Sequence, residues 1–175
     1  MNGNVLDTLH PSLATVGALV MNGAGITDFS GIQYFTNLST LYCQVNPIVN
    51  GAEHPPPSLT ALCIRNCGPD TLPSLPNIWF LQCQGNNLTS LPLLPNTLEE
   101  LWCDINPLPA LPPLPSSLCT FYCEGIGLTS LPSLSAGPEI LGCSSDPLTS
   151  LPTLPPALEK LYCDDNLLAA LPTLP

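Results

Sequence analysis

LEELWCDINPLPALPPLPSS, residues 98–117, is the stretch from which the rest of the chain can be read. Leu98, Leu101 and Cys103 are spaced by three and then two residues, Asn106 follows three later, and Leu108, Leu111 and Leu114 continue the series. With Cys103 as reference, the equivalent residues are Met1, Met21, Cys43, Ile64, Cys83, Cys123, Cys143 and Cys163, with spacings of 20, 22, 21 and 19 and then 20 throughout. The column three residues on holds Asn4, Ala24, Asn46, Cys67, Asn86, Asn106, Ile126, Asp146 and Asn166.

Each column has a physical task. L-x-x-L-x-C suits a short strand whose alternate residues point inward. Parallel stacking of such strands at about 4.8 Å turns the reference column into a buried ladder. The Asn column closes the turn that follows, because an amide both donates to and accepts from backbone groups the turn leaves unpaired. Cys67 fills that place weakly, whereas Ala24 and Ile126 cannot, so repair by water or backbone is expected there. The return path is L-P-x-L-P, as at Leu91-Pro92, Leu111-Pro112, Leu131-Pro132, Leu151-Pro152 and Leu171-Pro172. Proline opposes a helix and favours extended or polyproline-II backbone. A lone repeat of this kind cannot stand by itself, and its stability comes from stacked neighbours.

These columns predict a leucine-rich-repeat solenoid over residues 1–175, of about eight to nine coils. One side is a curved parallel β-sheet and the convex side is extended. Residues 1–58 form irregular N-terminal coils and 59–175 regular 20-residue repeats. Met1, Asn4, Leu6 and Leu9 fit the columns, so the chain begins inside a strand. Residues 16–42 form a variant coil with Phe29, Ile32 and Phe35 inward and, lacking proline, a short helical or 3-10 turn on the convex side. Residues 49–58 (VNGAEHPPPS) break the leucine columns and predict a bulging loop. His54 beside Glu53 could suggest a metal, but with no second ligand nearby a solvated loop residue is the reading. Pro138 replaces one leading Leu in SLSAGPEI.

A formal charge of −11, with Arg65 and Lys160 the only Lys or Arg, argues against nucleic acid. It also disfavours anionic membrane surfaces. No stretch is long enough to span a bilayer and no signal peptide is visible. Cytosolic residence, export by another route or a fragment of a longer protein all fit. Of nine cysteines, six occupy the inward reference column, where parallel side-chain vectors suit free core thiols better than disulfides. Cys63 and Cys119 fall on outward strand positions.

The unit L-P-x-L-P-x-x-L-x-x-L-x-C/V-x-x-N-x-L resembles the short bacterial class of leucine-rich repeats, found in type III-secreted effectors and in bacterial surface repeat proteins. The Cys-containing form, as in LEKLYCDDNLL, looks closer to the surface group. The resemblance implies protein–protein recognition and, by analogy, a secreted or surface-exposed protein. Some of those effectors carry a ubiquitin-ligase domain with a Cys followed by acidic residues. Cys163-Asp164-Asp165 imitates that string but occupies an ordinary repeat position.

Outward positions lie one and three residues before each reference and one after it. They place Tyr42, Phe80, Trp102, Tyr122 and Tyr162 in an aromatic stripe beside Glu100, Asp104, Glu124 and Asp164. Tyr and Trp combine area with a polar handle and are enriched at interface hot spots, although lateral packing between strands uses the same residues. These nine are the candidate partner-binding residues, with a basic protein or peptide as the complementary partner. The carboxylates come without a His, a Ser nucleophile or a Gly-rich loop, so no catalytic set, cofactor or enzyme activity is expected. Calcium bridging of Asp164 and Asp165 with Asp146 is weighed against a solvated acidic face, which is preferred. Two further functions fit the residues. One is head-to-tail self-association into a filament through uncovered ends, with Leu6, Leu9, Leu168 and Leu171 at the contact. The other is a recognition arm of a larger effector enzyme.

Overall fold

The computed structural model describes residues 11–50 and 54–174. Met1, Asn4, Leu6 and Leu9, the expected first coil, and Glu53 lie outside the described residues. Eight three-residue strands follow one another in a single parallel sheet: β1 (Ala18–Val20), β2 (Thr40–Tyr42), β3 (Ala61–Cys63), β4 (Phe80–Gln82), β5 (Glu100–Trp102), β6 (Thr120–Tyr122), β7 (Ile140–Gly142) and β8 (Lys160–Tyr162). Each strand pairs with the next in unbroken register, so Leu41, Leu62, Leu81, Leu101, Phe121, Leu141 and Leu161 form one inward row. The chain is a solenoid in which every coil is one repeat of the sequence pattern.

Alternation does what the columns require. In β2, β4, β5 and β6 the middle residue is buried and its neighbours are half-exposed. The reference column is buried at Cys43, Ile64, Cys83, Cys103, Cys123 and Cys143, and half-buried at Met21 and Cys163 in the outermost described coils. All nine cysteines are free thiols. Pro138 is itself buried and takes the place of the missing Leu. On the convex side, residues 69–174 contain no helix, as the L-P-x-L-P path implies, while the proline-poor coil makes a 3-10 turn at Ile32–Tyr34. A further 3-10 turn, Pro11–Thr15, buries Leu13.

The Asn column staples adjacent coils. Asn106 Nδ2 donates to the carbonyls of Cys103 at 2.9 Å and Cys83 at 3.0 Å, and its Oδ1 accepts the Leu88 amide at 3.1 Å. Asn86 repeats this on the coil before, donating to Cys83 and Ile64 at 2.7 Å and accepting the Cys67 and Gly68 amides at 2.8 Å. Cys67 imitates the amide with its thiol, which reaches the Cys43 carbonyl at 3.1 Å. At Ile126 the expected backbone repair is found: the Leu108 amide, which a side chain of this column would accept, donates instead to the Asn106 carbonyl at 2.8 Å. The amides of the two deficient coils are accepted as elsewhere from the coil that follows, Ile26 by Asn46 Oδ1 and Ile126 by Asp146 Oδ1, both at 3.0 Å.

Two features had no sequence signal strong enough to predict them. Hydroxyls just before the leading Leu form a second staple, with Ser58, Thr97 and Ser117 donating to Leu38, Ile78 and Leu98 carbonyls at 2.9, 2.9 and 2.7 Å. The residue two after each reference is left-handed, with φ of 59° at Val45, 51° at Ile105, 70° at Gly85 and 61° at Gly125. There the chain must turn while its N–H still reaches the next coil, as from Ile105 to the Glu124 carbonyl at 2.8 Å. Glycine meets this demand without cost, whereas a β-branched residue loses about 1–2 kcal/mol. Val45 and Ile105 accept that cost while 58% and 68% exposed.

Candidate functional site

The outward side of the sheet carries the candidate residues, and its two halves differ. Over β5 to β8 the aromatic column is continuous. Trp102 and Tyr122 stack with ring centroids 4.2 Å apart and planes 14° apart. Tyr122 and Tyr162 lie 6.1 Å apart at 26°, although a whole strand separates them. The strand between supplies Gly142, and a Cβ there would run into the Tyr122 ring and come within 2.8 Å of Glu124 Oε1. Glycine therefore lets Tyr122 lie flat across β7 toward Tyr162.

Beside this stack stand the carboxylates. Asp104 Oδ1 accepts the Glu124 amide at 2.8 Å, which fixes its orientation. Burial pushes the Asp104 carboxyl up despite that bond and the opposing charge of Arg65. Glu124 is also pushed up, first by burial and then by Asp104, Asp164 and Asp146. Asp164 moves the other way, because the Ser144 hydroxyl donates to its Oδ1 at 2.6 Å. Burial raises Tyr122 above the ordinary phenol range. Two carboxylates thus resist ionisation, and among the described residues Arg65 eases Asp104 while no cation eases Glu124. A cationic group arriving from outside relieves that repulsion. Glu100, on β5, is the outward residue one alternation before Trp102.

Over β2 to β4 the middle strand β3 is buried at all three residues, while Tyr42 and Phe80 stay half-buried as Trp102 and Tyr122 do. Tyr42 and Phe80 approach to 6.2 Å across β3, whose residues are the small Ala61 and Cys63. Cys63 donates to Gln82 Oε1 at 3.3 Å and is only 3% exposed. Cys63 holds the outward strand position expected of it and is nonetheless buried there. Cys119 lies just before β6 and is half-buried. Trp79, which periodicity did not single out because it precedes the strand, is exposed and packs on Phe80 at 5.4 Å.

The preferred reading of Asp146, Asp164 and Asp165 as a solvated acidic face is corrected at Asp146 alone. Asp146 is buried inside the solenoid and Asp164 lies on the face, bonded to Ser144. Among the described residues no group of three His, Cys, Asp or Glu side chains is arranged to hold a metal ion. Leu168 packs against the core and Leu171 is exposed, both in the coil of β8. Among the described residues no helix is long and apolar enough to cross a membrane.

Solved structures carry the same architecture. YopM from Yersinia enterocolitica WA-314 superposes with a TM-score of 0.72 at 33% identity, over 80% of this chain and 31% of that one. YopM of Yersinia pestis, described as a leucine-rich effector protein, gives a TM-score of 0.64 at 29% identity, over 82% of this chain and 47% of that one. The fold is a leucine-rich-repeat solenoid of the bacterial type. The chain spans 31% and 47% of the length of these two neighbours. No protein-family model matches the chain, and no curated protein does.

Proposed function

We propose that the solenoid is a non-enzymatic recognition scaffold whose outward sheet face binds a protein or peptide carrying basic residues. The observation that carries this reading is the continuous run Trp102–Tyr122–Tyr162 beside Asp104, Glu124 and Asp164. Stacked rings offer apolar area and faces for cations, and the adjoining carboxylates supply the charge. Tyr42 and Phe80 belong to the β2–β4 half and contribute its rim, and Glu100 extends the acidic side. Calorimetric titration with a cationic peptide containing Arg and aromatic residues tests the assignment. Trp102→Ala combined with Tyr122→Ala should weaken binding by at least about tenfold, the weight of a modest hot spot. Unchanged affinity in a folded double variant overturns it.

A second reading rests on the coverage of the neighbours. Both are longer arrays, so this chain also suits a recognition arm within a larger effector. The coil of β8 bears exposed Leu167, Leu171 and Leu174, a surface suited to a further coil of the same array or a second copy placed head to tail. Sedimentation at rising concentration, with Leu171→Lys as the control, separates association from a monomer.

A further inference from the structure

The Asn column fails at one joint. Each reference carbonyl depends on side chains of that column: Cys83 accepts from both Asn86 and Asn106, and Cys103 from Asn106. Its own coil's side chain supplies one donor and the next coil's the other. For Cys123 these places fall to Ile126, which has no polar atom, and to Asp146, which as a carboxylate has no hydrogen to give. Among the described residues no side chain donates to the Cys123 carbonyl, whereas Cys143 is served by Asn166 at 2.8 Å.

Asp146 occupies the Asn site faithfully on its other side. Its Oδ1 accepts three amides of the preceding coil, from Ile126 at 3.0 Å, Gly127 at 2.6 Å and Leu128 at 3.2 Å. The residue is 2% exposed. Its Oδ2, which stands where asparagine carries the NH2, is buried with no partner. In the equivalent place Asn86, Asn106 and Asn166 donate to the preceding coil's reference carbonyl, which by the same register is that of Cys123 for Asp146 Oδ2. One proton satisfies both.

We propose that Asp146 is a proton-gated joint: protonated, its Oδ2 donates to the Cys123 carbonyl and completes the column, and ionised, it leaves two buried acceptors opposed and loosens the coil of β6 from the coil of β7. The groups facing it offer no compensation. They are the Asp104 and Glu124 carboxylates and the Cys103, Cys123 and Cys143 thiols, while the Arg65 charge falls on Asp104. Burial raises the Asp146 carboxyl against the pull of four backbone amides, those of Gly127, Leu128, Ile126 and Gly125. With the folded value above the unfolded one, the joint's stability is fully present below the ordinary Asp range and is lost as pH rises through the folded value. The joint does not depend on the assignment of the binding face.

Asp146→Asn supplies the missing donors without a change of shape. The wild type and this variant are compared by thermal unfolding from acid to neutral pH. Above the titration the variant should melt higher by about 2–4 °C, and the difference should vanish in acid. Exchange of the Ile126, Gly127 and Leu128 amides should quicken with pH in excess of its intrinsic pH dependence in the wild type alone. A variant no more stable than wild type, or two parallel pH curves, overturns the joint. A difference infrared spectrum gives a readout independent of stability. Above the range where exposed aspartates have ionised, the wild type should show a carbonyl stretch of a protonated carboxylic acid that Asp146→Asn lacks, which separates it from the raised Asp104 and Glu124. Its absence there also overturns the proposal.

Discussion

The two halves of the outward sheet use the same device to opposite ends. Over β2–β4, small residues on β3 let Tyr42 and Phe80 approach each other, and Cys63 is buried with its thiol on Gln82. Over β5–β8, the small residue is Gly142, and Tyr122 lies across it toward Tyr162 with its stack on Trp102 intact. The first arrangement leaves a face bounded by Gln44, Arg65 and Gln84, and the second a face bounded by Asp104, Glu124 and Asp164. A missing side chain on one strand thus decides how its neighbours lie, and the column beside it decides whether the result is packing or an acidic, aromatic surface. Only the second half combines area with unneutralised charge.

The comparison can be broken most directly at Gly142. Gly142→Leu places a side chain where the Tyr122 ring lies, so Tyr122 must rotate away from Tyr162. Overpacking of this kind costs about 1–3 kcal/mol. Near-ultraviolet circular dichroism should record the loss of the coupled aromatic signal, and cationic-peptide binding should fall with it. A variant with wild-type spectrum and stability would show that the glycine does not hold the stack open.

The β2–β4 half is sharpened by thiol chemistry. Cys119 and Cys163, both half-buried, should label with a small alkylating reagent in the native state, whereas the seven buried thiols wait for unfolding. Burial raises the thiols of Cys83, Cys103 and Cys123, and that of Cys143 to about 12, which adds to their inertness. Tyr42→Ala should uncover Cys63 and add one labelled site by mass spectrometry, with a stability loss of about 1–2 kcal/mol. Labelling of Cys63 at the same rate in the wild type would mean that Cys63 is not buried.

The smallest effect expected is in pH. Asp104 and Glu124 are raised in the folded chain, so they bind protons more tightly there than when unfolded. Their contribution to stability declines as pH rises from the ordinary carboxylate range through the folded values, while the face gains negative charge over the same interval. Binding of a cationic peptide to the β5–β8 half should therefore strengthen as pH rises through that interval and then level off. Calorimetry with Glu124→Gln should flatten this rise, and an unaltered profile would place the titrating group elsewhere.

Much of this was legible in the residues. The inward row, the buried thiol ladder and the helix-free convex path follow from period and proline placement, because identical spacing admits one stacking register. Asn106 and Asn86 could be assigned their role before any coordinate was known, since only an amide both gives and takes at a turn. The burial of Cys63 could not be read, because alternation reports which way a side chain points and is silent on whether its neighbours fall across it. The cost of Ile126 is hidden for a related reason: which carbonyl loses its donor depends on residue 146 of the next coil, which no single repeat contains. Val45 and Ile105 gave no hint of a left-handed turn, since glycine fills that column only in some coils.

The sequence by itself determined the solenoid, its register and the identity of the core columns, because these depend on periodicity that every repeat restates. Only the tertiary structure decided that Cys63 is buried, where the aromatic run is continuous, and that Asp146 Oδ2 is buried without a partner. Those outcomes depend on residues in neighbouring coils about 20 positions apart, where one substitution changes the fit of the next coil without disturbing the pattern of its own.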